Sequence, residues 1–230
     1  DEKFFDAEKY DTPHASSRGH NLIFVNGEEQ VTGKRYKQPL DESIGGEVIE
    51  FRDGESRVYT IMDPTKAYPG KELKKWRRHI ILEKPVITII LDEVESGEGA
   101  EIEARFHSEC KQIAKEGYTL LEGKEGTMAL IPVVGGEFTF RPDRHAYQAL
   151  FKNAGFQWIP YNGTVLHASD NRTIIAHIIL PVADDSEARA IVNSAARLIE
   201  PSGNFTLSFE KDRKTYTYQF QEGKYGLVLK

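Results

Sequence analysis

Short stretches that alternate apolar and polar residues at period two, each closed by a turn signal, recur along nearly the whole chain. That rhythm is the strongest constraint on the fold, because a helix cannot bury a period-two face. Leu22–Val25 runs into Asn26-Gly27, a dipeptide suited to the φ > 0 positions of a tight hairpin turn. Glu47–Arg52 alternates, meets Asp53-Gly54, and is followed by the alternating Ser56–Met62. The run Pro85–Val94 opens with the most apolar stretch of the chain, Pro85–Leu91, which has the length and chemistry of a strand rather than of a membrane span. Further strands are expected at His79–Leu82, Ile102–His107, Tyr118–Glu122, Met128–Val134, Glu137–Arg141, Thr164–Ala168, Arg172–Leu180, Phe205–Glu210, Lys214–Gln221 and Tyr225–Leu229. Short turns between them make most pairings antiparallel. The fold class is all-β, a large antiparallel β-sandwich of the jelly-roll or super-sandwich kind.

Two stretches depart from that rhythm. Ser186–Ile199 has Asp184, Asp185 and Ser186 as caps, places Ile191, Ala195, Leu198 and Ile199 on one helical face, and stops before Pro201-Ser-Gly203. It predicts a helix, and Pro142–Ala154 predicts a second, short one before Gly155. No repeat, low-complexity tract or linker interrupts residues 1–230, so one domain is expected, with 200–230 as its terminal hairpin.

Composition removes several function classes. Hydrophobic residues at 39%, with 12 Phe and 10 Tyr, exclude a disordered or collagen-like chain. No apolar run has the length of a membrane span. Thirty Lys and Arg against 36 Asp and Glu give a net charge of −6, which argues against nucleic-acid binding, a task that needs a basic face. One cysteine, Cys110, excludes an intrachain disulfide and a Cys-based zinc finger. The opening Asp-Glu-Lys-Phe-Phe has neither an initiator Met nor a basic-then-apolar leader, so a piece of a longer protein is expected.

Motifs of chemistry are sparse. Phosphate-cradling loops, nucleophile elbows, His-Glu-x-x-His and His-x-His are all missing, and the seven histidines (14, 20, 79, 107, 145, 167 and 177) stand singly. Cys110 lies three residues after His107, a spacing that puts the two on opposite sides of a strand; a half-buried thiol is the expected role. The sequons at Asn162, Asn171 and Asn204 read either as glycan acceptors or as polar turns. Lys71, Lys74, Lys75, Arg77 and Arg78 surround Trp76, which suits either an anionic sugar stacked on the indole or a solvated charged loop. The segment Tyr10–Gln30 is densest in capable groups: Tyr10, His14, Arg18, His20 and Asn21, the last two directly before a strand.

Arg18-Gly-His-Asn-Leu-Ile-Phe-Val-Asn-Gly-Glu-Glu-Gln30 resembles the His-Asn…Val-(Asp/Asn)-Gly-x-x-Gln signature of the heparinase II/III-like polysaccharide lyases. Asp63–Pro69 with its Ala-Tyr, Arg77-Arg78, Glu83–Asp92, Phe106-His107 and Trp158–Gly163 continue that resemblance in order across residues 10–181. The resemblance implies the C-terminal β-sandwich of an enzyme that cleaves uronic-acid polysaccharides by β-elimination. A base takes the C5 proton, the neighbouring carboxylate is neutralised and an acid protonates the leaving oxygen. It places the catalytic residues in an α/α-toroid and a His-rich motif, both upstream of Asp1, so no catalytic residue is assigned in this chain. It also implies a structural zinc, with His20 as one ligand whose partners have no match here; this chain alone is expected to hold none. Tyr10, His14, Arg18, Asn21, Trp76, Arg78 and His107 are the candidate substrate-binding residues. The partners implied are an acidic polysaccharide and the absent toroid, with no nucleic acid and no membrane span, in a bacterial periplasm or secreted. Competing readings are a carbohydrate-binding or structural packing module with no catalytic role, and a self-sufficient jelly-roll enzyme with a metal pocket.

Overall fold

The computed structural model describes residues 17–30, 44–68, 70, 72–148, 156–224 and 226–230. In chain order its strands are β1 (Ile23–Val25), β2 (Glu47–Asp53), β3 (Arg57–Asp63), β4 (Lys75–Glu83), β5 (Ile87–Glu95), β6 (Glu101–His107), β7 (Lys111–Lys115) and β8 (Tyr118–Glu122). They continue with β9 (Thr127–Val134), β10 (Thr139–Gln148), β11 (Phe156–His167) and β12 (Arg172–Val182). A helix α1 (Asp185–Ser194) precedes β13 (Ala196–Ile199), β14 (Phe205–Lys211), β15 (Lys214–Gly223) and β16 (Gly226–Leu229). Every pairing among them is antiparallel.

An eight-stranded sheet, in the order β2-β3-β4-β5-β12-β9-β8-β7, forms the middle layer. A four-stranded sheet, β1-β6-β11-β10, covers one face of it; β13-β14-β15-β16 and α1 cover the other. Strand alternation assigns the faces. Ile87, Ile89 and Leu91 of β5 enter the core shared with β14–β16, while Ile90 and Val94 enter the core shared with β1, β6 and β11. Strand β12 divides likewise: Ile174, Ala176, Ile178 and Leu180 go one way, Ile175 and Ile179 the other. Both faces being buried explains why these strands carry apolar residues at successive positions, Ile89–Leu91 in β5 and Ile174–Ala176 in β12, rather than alternating.

Turn chemistry follows the sequence where φ > 0 is needed. Asn26 and Gly27 take φ of 49° and 75°, and Glu28 N donates back to Val25 O at 2.9 Å. Asp212 and Arg213, at 52° and 61°, close the β14–β15 hairpin.

Two helix expectations are corrected. Helix α1 starts as expected, with the Asp184 carboxylate accepting from Ser186 N at 2.9 Å and Glu187 N at 3.0 Å. It ends at Ser194, however, and Ala195 turns extended, because residues 196–199 pair with Phe205–Ser208 of β14 instead. Leu198 and Ile199 are therefore exposed edge-strand residues, and only Ala188 and Ile191 of the helix are buried. The predicted helix at 142–154 is a strand through Gln148, since ten successive residues of β10 pair with β11; residues 149–154 lie outside those described. Strand β7 and strand β13 went unpredicted. The final hairpin is part of a four-stranded sheet.

Side chains of the middle sheet capture the edge strand β16. Tyr59 Oη accepts from Leu229 N at 3.1 Å and shares a hydrogen bond with His79 Nδ1 at 2.9 Å. Glu93 accepts from Leu227 N at 2.9 Å and pairs with Arg172 at 2.7 Å. Gly226, at φ 127°, is required where a Cβ would meet the Glu93 carboxylate at 2.2 Å.

Burial holds His79 neutral, pushing its pKa down from 6.5 to about 4, and drives His177 down to about 3. The unfolded chain binds these protons at higher pH than the folded one. Stability should therefore be full above pH 6.5 and fall as pH drops toward 4, by on the order of 3 kcal/mol per imidazole. Urea unfolding midpoints across that range check this: His177→Asn should flatten the decline, and an unchanged slope would contradict it.

Candidate functional site

The His-Asn segment sits where a short 3₁₀ turn, Ser17–Gly19, feeds into β1. Ser17 Oγ accepts from Gln30 N at 2.8 Å, and His20 N closes the turn on Ser17 O at 3.1 Å. Asn21 then joins two sheets. Its carbonyl accepts from the Arg78 guanidinium of the middle sheet, and its Oδ1 accepts from His107 N at 2.7 Å and meets His107 Nδ1 at 3.1 Å. A backbone N–H can only donate, so that atom is the amide oxygen, and His107 must carry its proton on Nδ1. The structure thus brings Asn21, Arg78 and His107 together, whereas Arg18 pairs its guanidinium with Glu29 and its carbonyl accepts from Arg105 Nη1 at 3.3 Å.

Arg78 and Trp76 are not on a surface. Trp76 is 1% exposed, packs edge-on against Tyr68 and donates Nε1–H to Asp92 at 2.7 Å. Arg78 makes a forked pair with the fully buried Asp92, at 2.7 and 3.0 Å. The sequence reading assigns them to sugar binding, but they alternate along β4 onto its covered face, where both are engaged with Asp92. The rest of the basic cluster is also engaged, Lys74 with Ser96 O, Lys75 with Glu95 and Arg77 with Asp63; Lys71 lies outside the described residues. A largely apolar cavity of about 290 Å³ beside Leu22, Met62, Pro64, Trp76 and Arg78 offers little to a charged sugar.

The outward face of the β1-β6-β11-β10 sheet carries a charged ladder. Arg105 lies between the Phe24 and Tyr161 rings, 4.3 and 4.2 Å from their centroids, and pairs with Glu103 at 2.9 Å. Arg141 bridges Glu101 and Glu103 at 2.9 and 3.0 Å, and this bond holds the Glu101 carboxyl below its usual range. Tyr161 Oη donates to Asp143 at 3.3 Å; burial raises its pKa. Gly163 permits this ladder, since a Cβ there would meet Glu103 Oε1 at 2.5 Å.

Beyond this face, β10 and β11 run on as a two-stranded arm. Its inward side shows Trp158, 53% exposed, with the Arg144 guanidinium 4.7 Å from the ring centroid. Sequence reasoning noticed Trp158 only as part of a motif. An aromatic beside Ile-Pro-Tyr carries no period-two sign of its exposure, and the helix expected at 142–154 hid the strand that carries Arg144.

His20 is exposed on the bend before β1. Among the described residues no three His, Cys, Asp or Glu side chains converge, so these residues do not fit the implied zinc. Tyr10 and His14 lie outside the described residues. Cys110 is half-buried just past β6. Asn162 is buried with its amide on Thr119 Oγ1 at 2.6 Å, which excludes that sequon as a glycan acceptor in the folded chain. Among the described residues no helix is long and apolar enough to cross a membrane.

A family model described as "Heparinase II/III-like, C-terminal" matches residues 4–194, ending just before β13. Comparison with curated proteins finds no match. Among solved structures, a heparinase III gene product superposes with a TM-score of 0.65 at 10% identity, covering 88% of this chain and 30% of that one. Another heparinase III gives 0.63 at 12% identity, covering 88% and 29%, and the heparan sulfate lyase HepC from Pedobacter heparinus gives 0.64 at 9%, covering 91% and 30%. At such identities these likenesses establish the fold alone, and the chain spans about 30% of the length of the first of these structures.

Removing one member of the buried pair should leave the other charge uncompensated. Asp92→Ala is expected to cost about 3–5 kcal/mol in urea unfolding. A loss under about 1 kcal/mol would show that Arg78 finds water or another partner.

Proposed function

Because the chain belongs to the heparinase II/III-like family through its C-terminal region, we propose that it is the β-sandwich part of a polysaccharide lyase acting on uronic-acid-containing acidic chains by β-elimination. The family match over residues 4–194 carries this reading. The likeness of the fold to solved heparinase III and heparan sulfate lyase structures supports it. Proton transfer at C5 and at the leaving oxygen is assigned to groups outside this chain, in an α/α-toroid. Within the chain, Asn21 and His107 hold the His-Asn turn against the sandwich. In the intact protein His20 would need two or three further donors, from beyond the described residues, to bind zinc. The reading places the protein in a bacterial periplasm or outside the cell, where such polymers occur.

A second reading, a packing module without catalytic part, draws on β2. Its Val48, Ile49 and Phe51 are all exposed on an edge strand, an apolar surface of the kind that a neighbouring domain covers.

The 230-residue chain incubated with heparan sulfate or alginate should give no ultraviolet absorbance from unsaturated uronate, while the intact lyase should give it. Absorbance from the chain alone would place the proton-transfer groups within it, and none from the intact protein would overturn the lyase reading.

A further inference from the structure

The arm formed by β10 and β11 is an unusual place for a tryptophan. Strand β6 pairs with β11 only from Tyr161 to His167, whereas β10 pairs with it from Phe156 to Val165, so Trp158 lies on a ribbon projecting past the sheet. Trp158 is three residues from Tyr161, hence on the opposite side from the charged ladder. Arg144 is the diagonal cross-strand neighbour of Trp158, which lets the guanidinium lie over the indole. The base of the arm is fixed: Pro160 O accepts from Ser108 N at 3.1 Å and from Gln112 Nε2 at 2.9 Å, two residues from Trp158.

From this geometry we infer that the arm carries a subsite for one anionic pyranose unit, with Trp158 stacking on the sugar's C–H face and Arg144 pairing its carboxylate or sulfate. A half-exposed indole supplies a flat apolar plate, and sugars bind such plates because their axial C–H groups form an apolar patch. The guanidinium lying over one face of the ring supplies parallel donors that match a planar carboxylate or a sulfate edge. The surroundings favour a sugar over a protein. Trp158 is the one large exposed apolar residue among the arm's described side chains, and Arg144 on the same side of the ribbon is exposed and polar. Protein interfaces need a wider apolar centre than one ring. The chain's net charge of −6 makes a local cation all the more necessary for holding an anionic polymer. This subsite deepens the lyase reading above and rests on it.

The chain has two tryptophans, one buried and one exposed, so fluorescence reports the arm selectively. Alginate oligosaccharides, carrying carboxylates alone, heparan sulfate oligosaccharides, carrying sulfate as well, and neutral cello-oligosaccharides are titrated into the 230-residue chain. Both anionic probes should change the Trp158 emission and bind more tightly than the neutral one; a preference between them identifies the group that Arg144 holds. Trp158→Ala should abolish binding, Trp158→Tyr should keep most of it, and Arg144→Gln should weaken the anionic probes by about tenfold, to the level of the neutral one. Unchanged emission of Trp76 in each variant certifies the fold. Anionic binding that survives both Trp158→Ala and Arg144→Gln overturns the subsite alone. No binding of any uronate by the wild type overturns the subsite, while the lyase reading stands or falls on the absorbance from the intact protein. Concentration-dependent emission without sugar, lost in Trp158→Ala, would mark a protein contact and overturn the inference.

Discussion

A sheet buried on both faces has no side on which to leave a polar group unattended, and that constraint organises this protein. Inside the eight-stranded layer, every charge has to bring its partner with it, because burial of a bare ion costs several kcal/mol. Arg78, Asp92 and Trp76 meet this demand on one side, and Glu93, Arg172, Tyr59 and His79 on the other. Both sets also reach across a layer boundary: Arg78 to the carbonyl of Asn21, Glu93 and Tyr59 to the backbone of β16. Non-directional apolar contact holds the layers together, while these directional bonds fix the register in which they stack.

The parts of this fold written most plainly in the sequence are the ones where burial leaves a periodic trace. Strands β5, β9 and β12 were legible because continuous apolar runs, bounded by turns, suit a strand with two covered faces. The Asn26-Gly27 turn was legible because few residues accept φ > 0. What escaped is decided by partners distant in sequence. Leu198 and Ile199 complete a helical face on paper, yet pairing with β14 draws them into an edge strand. Arg141-Pro-Asp-Arg144 has turn-like composition, yet opposite β11 it forms a ladder. An edge strand tolerates Pro142, whose missing N–H costs nothing on the unpaired side.

The site shows the same division. Asn21 and His107 were identifiable from a motif, and they do meet, 86 residues apart in sequence. Arg78 belongs to the same motif set and Trp76 to the basic cluster beside it, but both are braces. Composition identifies a basic, aromatic cluster; only the parity of β4 tells that these two side chains turn inward, toward Asp92. The basic neighbours of Trp76 thus describe how the middle sheet is stitched, and the exposed ring that a cluster of that kind suggested stands on β11 instead.

Covering both faces of the middle sheet also limits where this chain can meet anything else. Neither of its central faces is available, so among the described residues contact falls to surfaces such as the rim of the β1-β6-β11-β10 sheet's outward face, the arm, and the edge strands β2 and β13. These surfaces differ in chemistry. The outward face spends its charges on itself, with Arg105 and Arg141 already neutralising Glu101 and Glu103, and so has little attraction left for an anion. The edges offer apolar residues suited to packing, Val48 and Phe51 on one, Leu198 and Ile199 on the other. The arm combines a half-exposed indole with a guanidinium aligned to it. A sandwich built this way keeps its exposed apolar edges and its exposed indole on separate strands, so that changes at Trp158 need not disturb the layers that hold the fold.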